Sequence, residues 1–107
     1  MDLLLRNALL YDFYGDLLTD RQKNIYHMYF CDNLSLAEIG CTFAISRQAV
    51  NFSLKQSQKS LEAFEQTLKL VERHAPAQEI LATLRSAVER EDYTECIRTL
   101  DELEKLL

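Results

Sequence analysis

An all-α protein is expected from three observations. Only two glycines and one proline interrupt 107 residues, and 48% of the residues are hydrophobic. Apolar positions recur at spacings of three and four, with no run of alternation long enough for a strand. So few breakers favour helices joined by short turns, and this length supports one core with a helical appendage. The expected organisation is five helices in a single all-helical domain, residues 1–107. Residues 18–60 form its central part and 61–107 a C-terminal helical extension.

The first helix should run from about Leu3 to Tyr14, after an Asp2 cap, and stop at Gly15. Leu4, Leu5, Ala8, Leu9, Tyr11 and Phe13 nearly surround it, more than one core-facing stripe requires. Burial plus a subunit contact is the expectation for this helix. The second spans about Thr19 to Cys31, begun by a Thr19–Gln22 capping box and ended near Asn33, which tolerates a left-handed stop. Its closely spaced Tyr26, Tyr29 and Phe30 read as core packing rather than as a base-stacking platform.

Leu34 to Leu54, LSLAEIGCTFAISRQAVNFSL, reads as two helices joined by a tight turn, the layout of a helix-turn-helix. Ser35 and Glu38 make a capping box, with Leu36, Ile39 and Phe43 on one face. Gly40 costs roughly 1 kcal/mol against alanine, best explained by a helix crossing closely above it. Ala44 stands in the turn, where a positive φ would strain it by roughly 1 kcal/mol. Ile45 plugs the turn and Ser46 is the N-cap of the second helix.

From there Val50, Leu54, Ser57, Leu61, Phe64, Leu68 and Val71 alternate steps of four and three, a heptad seam. One long helix, roughly Ser46 to His74, is therefore expected, packed on a C-terminal helical hairpin. Pro76 restarts the chain at a first helical turn. Ile80, Leu81, Leu84 and Val88 form the next face. A break at Glu91-Asp92 leads to Tyr93, Ile97, Leu100, Leu103 and Leu107, with acidic residues crowding the other faces.

The net charge is −5 but unevenly spread. Residues 1–18 carry a net of −2, residues 19–60 a net of +2 and residues 61–107 a net of −5. Any contact with phosphate belongs to the middle segment. One chain would neutralise about three to five phosphates, so binding should be steeply salt-sensitive. Arg47, Gln48, Asn51, Phe52 and Lys55 point outward from the second helix of the motif. Arg47 and Gln48 are candidate readers of bases or phosphates, Asn51 suits adenine, and Lys55 and Lys59 suit the backbone. Ser46 completes that helix start. Arg21 and Lys23 would steady flanking phosphates, unless Arg21 holds an internal salt bridge.

No glycine-rich phosphate loop, His-Glu-x-x-His run or nucleophile-base pair is present, so catalysis is not expected. Neither is a cofactor. Cys31, Cys41 and Cys96 form no CxxC pair and, with His27 and His74, lack zinc-ligand spacing; reduced, partly buried thiols in a cytoplasmic protein are expected. The Leu3-Leu4-Leu5 cluster falls far short of the ~20 apolar residues of a membrane span.

A helix begun by Leu18-Thr19-Asp20-Arg21, then Ser35-Leu36-Ala37-Glu38-Ile39-Gly40, then Ile45-Ser46-Arg47-Gln48-Ala49-Val50, resembles region 4 of bacterial sigma factors. More closely, the chain is similar to the YlxM family, small bacterial proteins with a sigma-region-4-like helix-turn-helix. The resemblance runs from about Leu3 to Leu70. It implies a nucleic-acid-binding regulatory role tied to the signal recognition particle, because genes of this family lie beside those for the particle's protein components. The partner would be DNA, the particle's RNA or its GTPase. Where members often show Tyr-Asp, this chain has Asn51-Phe52, and Gln56 stands where basic residues are common. An exposed Phe52 is awkward in a DNA groove, though it suits contact with a thymine methyl or stacking on an unpaired RNA base. The competing expectation is a protein adaptor that keeps the motif for packing alone. A homodimer is expected, since two weak half-sites would otherwise bind poorly.

Overall fold

The computed structural model describes residues 2–107, and no strand occurs among them. Six α-helices are present rather than five: α1 (Leu3–Tyr14), α2 (Asp20–Phe30), α3 (Leu36–Phe43), α4 (Arg47–Leu68), α5 (Leu70–Glu89) and α6 (Tyr93–Leu106). The five-helix count does not treat the short α3 as an element separate from the hairpin it belongs to. A turn of 3-10 helix, Gly15–Leu17, links α1 to α2. The chain divides into two compact units, residues 2–68 and Lys69–Leu107.

Local chemistry starts each helix of the first unit. Asp2 accepts from the Leu4 N–H and caps α1. Thr19 with Gln22 and Ser35 with Glu38 close full capping boxes on α2 and α3. Each box satisfies two backbone donors that a helix start leaves without partners. Asn33 takes the left-handed conformation, φ 58°, after α2. The Leu34 N–H reaches back to the Met28 carbonyl there (3.0 Å).

α4 is the spine of this unit, packed against α1, α2 and α3. Val50 and Leu61 are fully buried and Leu54 nearly so, facing Leu10, Tyr14, Ile25, Tyr26 and Ile39 in one core. The heptad seam holds from Val50 through Ser57 to Leu61 and then departs from its expected course. Glu65, not Phe64, is the next buried position, and Leu68 is exposed. A straight helix of 3.6 residues per turn drifts from a 3.5 repeat, so the inward face passes to the i+4 residue. Glu65 is acceptable there because the Tyr14 hydroxyl donates to its Oε1 at 2.6 Å.

Side chains fasten α1 and α2 along α4. The Arg6 guanidinium grips the Glu62 carboxylate with Nη2 at 2.7 Å and Nε at 3.4 Å. That hydrogen bond raises the Arg6 pKa. The Gln58 Nε2 donates to the Asn7 Oδ1 (3.1 Å), and the Tyr26 hydroxyl donates to the Gln58 Oε1 (3.2 Å). Burial pushes the Tyr26 phenol up to about 12.

The expected long helix to His74 instead ends at Leu68, where Lys69 adopts φ 57° and ψ 32°. No glycine or proline announces this stop. A left-handed lysine costs about 1–2 kcal/mol, which sequence periodicity cannot reveal. Pro76 does not restart the chain; it lies inside α5, where its missing N–H removes one helical hydrogen bond.

In the second unit α5 and α6 form an antiparallel-type hairpin of adjacent helices. Glu91 at φ 55° makes the turn, and Asp92 caps α6 by accepting from the Glu95 N–H at 3.1 Å. Small side chains, Ala87 and Thr99, are buried in it. Large apolar ones remain outside: Leu81, Val88, Tyr93, Ile97 and Leu100 are all exposed. Arg98 is held by Glu95 and Glu102, which raises its pKa and lowers that of Glu95.

Candidate nucleic-acid interface

The turn between α3 and α4 positions the candidate interface. Ala44 closes α3 in the left-handed region, φ 56° and ψ 44°, a conformation glycine takes without strain. The Ile45 N–H then bonds to the Gly40 carbonyl at 2.9 Å. A Cβ on Gly40 would lie 2.6 Å from the Ile45 carbonyl oxygen. The close neighbour that requires glycine is therefore the turn leading into α4, not the body of a crossing helix. Ser46 begins α4 as expected: its Oγ accepts from the Ala49 N–H at 3.0 Å.

With Val50, Leu54, Ser57 and Leu61 turned inward, helical geometry sends Gln48, Asn51, Phe52, Lys55 and Lys59 to the opposite flank. All five, and Arg47 in the first turn, are exposed; Phe52 shows 65% of its surface. Arg47, Lys55 and Lys59 have no carboxylate partner among the described residues. Arg47, Gln48 and Asn51 line one shallow groove with Leu36 of α3.

The two flanking cations behave differently. Arg21 is exposed, and its guanidinium stacks over the Phe43 ring, 5.5 Å from the centroid. That contact stands in place of an internal salt bridge. Lys23 pairs with Asp16, which raises its pKa. Its charge is thus already partly compensated within the chain.

Two features depart from expectation. Tyr26 is buried, but Tyr29 and Phe30 are 37% and 47% exposed, so they are not core residues. The three lie on one helix face at spacings of three and four, so the pattern is that of a core stripe, and only the tertiary structure shows that Tyr29 and Phe30 are left uncovered. Likewise Cys31 and Cys41 are exposed, and only Cys96 is half-buried; all three thiols are free. Leu3, Leu4 and Leu5 of α1 are also exposed, at 71%, 73% and 52%. The apolar surplus on α1 is thus concentrated at its start.

Among the described residues no helix is long and apolar enough to cross a membrane. No group of three or more His, Cys, Asp or Glu side chains gathers there that would hold a metal ion.

Residues 1–102 match a family described as "Putative helix-turn-helix protein, YlxM / p13 like". A UPF0122 protein of Shouchella clausii is 39% identical over 107 residues, covering 99% of this chain and 98% of that protein. One from Thermoanaerobacter sp. strain X514 is 42% identical over 100 residues, with 90% and 86% covered. One from Halalkalibacterium halodurans is 37% identical over 108 residues, with 97% and 99% covered. The match spans both units and includes the capped α3, the turn at Ala44 and the outward flank of α4. The chain belongs to the YlxM/p13-like family of helix-turn-helix proteins.

Proposed function

We propose that this protein is a non-catalytic nucleic-acid-binding regulator that presents the first three turns of α4 to its target. The observation that carries this reading is the outward flank of α4. Its three cations have no carboxylate partner among the described residues, and its polar side chains are free of the core. Arg47 and Gln48 take the reading positions at the helix start, Asn51 sits one turn on, and Lys55 and Lys59 follow the backbone. Ser46 keeps its hydroxyl hydrogen for a phosphate while its oxygen caps the helix. Arg21 adds a flanking charge; Lys23 contributes less, because Asp16 competes for it. The exposed Phe52 is better suited to an unstacked base than to a duplex groove, which favours RNA. That preference fits the implied association with the signal recognition particle, in the cytoplasm, through the particle's RNA.

Binding should fall with salt at a slope of about −2 to −4 in log K against log salt, for three to five phosphates. Arg47→Ala is expected to cost about 1–3 kcal/mol and to relax sequence preference. Lys55→Ala should weaken all sequences alike and reduce the slope by about one. Anisotropy titrations across a salt series measure both. Affinities indifferent to salt and to both substitutions would refute the reading.

A second reading, a protein adaptor that contacts the particle's GTPase, is favoured by one feature, the uncovered apolar face of the α5–α6 hairpin. We assign that face instead to a homodimer, in which two hairpins complete a four-helix bundle around Leu81, Val88, Ile97 and Leu100. Light scattering is expected to give twice the 12.5 kDa chain mass. A single 12.5 kDa species would remove the dimer.

A further inference from the structure

Two adjoining grooves flank Phe30 on the side of the first unit formed by α1, α2 and α4. One is lined by Leu4, Ala8, Tyr11, Tyr26 and Cys31. The other, of about 360 Å³, is lined by Leu3, Tyr29, Asn51, Leu54, Lys55 and Gln58. Asn7 and Phe30 belong to both. Asn51 also lines the Arg47–Gln48 groove, so the aromatic grooves continue directly from the basic one.

We propose that these grooves hold an unpaired base of a single-stranded nucleic acid, stacked on Phe30 or Tyr29, with the adjacent phosphate on Lys55. This deepens the nucleic-acid reading above and rests on it. Phe30 is braced by Tyr26 at 4.5 Å and by the edge of Tyr29 at 4.9 Å. Tyr26 itself stacks on Tyr11 at 5.0 Å. The exposed rings therefore stand on a rigid aromatic ladder, and stacking on them orders little that is not already fixed. The polar members supply hydrogen-bond donors. The Gln58 oxygen is occupied by Tyr26 and the Asn7 oxygen by Gln58. Their remaining amide hydrogens suit carbonyl and ring-nitrogen acceptors on a base edge. Among the described residues no carboxylate lines any of the three grooves. The charged side chains that a polyanion meets there are Arg47 and Lys55, which favours a nucleic-acid strand over an apolar peptide as occupant.

The test uses the full chain with fluorescently labelled mixed-sequence single strands, one RNA and one DNA, and the matching duplex. Phe30→Leu keeps apolar bulk against Tyr26 but removes the ring, and Tyr29→Ala removes the second platform. Each should weaken single-strand binding at least about fivefold while leaving duplex binding within about twofold. Arg47→Ala should weaken both. The RNA and DNA arms identify which strand chemistry the grooves prefer. Alkylation of Cys31, read by mass spectrometry, should slow when a single strand is bound, with Cys96 unaffected. Single-strand affinity unchanged in both variants, equal losses on duplex, or unprotected Cys31 would overturn the groove assignment. If Arg47→Ala still weakens duplex binding in those cases, the α4 reading stands alone. Conversion of a dimer to a monomer by Tyr29→Ala would also overturn the assignment, by making this face a subunit contact.

Discussion

Gly40→Ala is expected to destabilise the first unit by about 1–2 kcal/mol and to displace the start of α4. The added Cβ would sit 2.6 Å from the Ile45 carbonyl oxygen, a backbone atom that cannot swing aside. Relief requires the turn to open, and opening stretches the 2.9 Å bond from the Ile45 N–H to the Gly40 carbonyl. Ala44 is already strained in the left-handed region, so the turn has little freedom left to absorb the change. Overpacking of this kind typically costs 1–3 kcal/mol, roughly, and alanine's better helix propensity returns under about 1 kcal/mol. The variant should melt about 4–16 °C lower, read by circular dichroism. Nucleic-acid affinity should fall too, even below the melting range, because Arg47 and Gln48 move with the turn. Unchanged melting would show that the α3–α4 turn yields easily and that the glycine is dispensable.

Leu61→Ala should act through the core alone. Leu61 is fully buried on the α4 seam. Removing a buried leucine costs about 2–5 kcal/mol, lost transfer energy plus the cavity left behind. For a unit of this size that is a large fraction of the total stability. Denaturant melts should show a lower midpoint, and near the midpoint the first unit should unfold. Under strongly native conditions affinity per folded molecule should be unchanged, since the outward flank of α4 is untouched. That contrast separates the two variants: Gly40→Ala alters the position of the reading side chains, whereas Leu61→Ala alters only how often they are present. A loss under 1 kcal/mol would mean that the seam closes over the gap.

Much of this was legible in the residues. The capping boxes at Thr19–Gln22 and Ser35–Glu38 are local chemistry, and both helix starts lie where those pairs place them. Asn33 marks a helix stop because its side chain tolerates positive φ. The outward flank of α4 followed from the inward spacing of Val50, Leu54 and Leu61. What failed depended on tertiary context. Lys69 ends α4 without any breaker residue, and Pro76 lies within a helix that its ring disfavours; in both places local propensity is overridden. Glu65 reads as a solvated carboxylate until Tyr14, distant in sequence, supplies its donor. Tyr29 and Phe30 read as core because they share a helix face with the buried Tyr26, and local spacing carries no record of which part of that face another helix covers.

In the reading proposed above, α4 serves simultaneously as keel and as instrument, and the two duties fall on opposite sides of one cylinder. The residues which that reading assigns to the target bear no weight in holding the fold, and solvent-facing exchanges generally shift stability by less than about 0.5 kcal/mol. Target preference in such a scaffold is therefore free to drift. Gln48, Asn51 and Phe52 could be swapped wholesale to retune recognition, with the hydrophobic spine beneath them none the wiser.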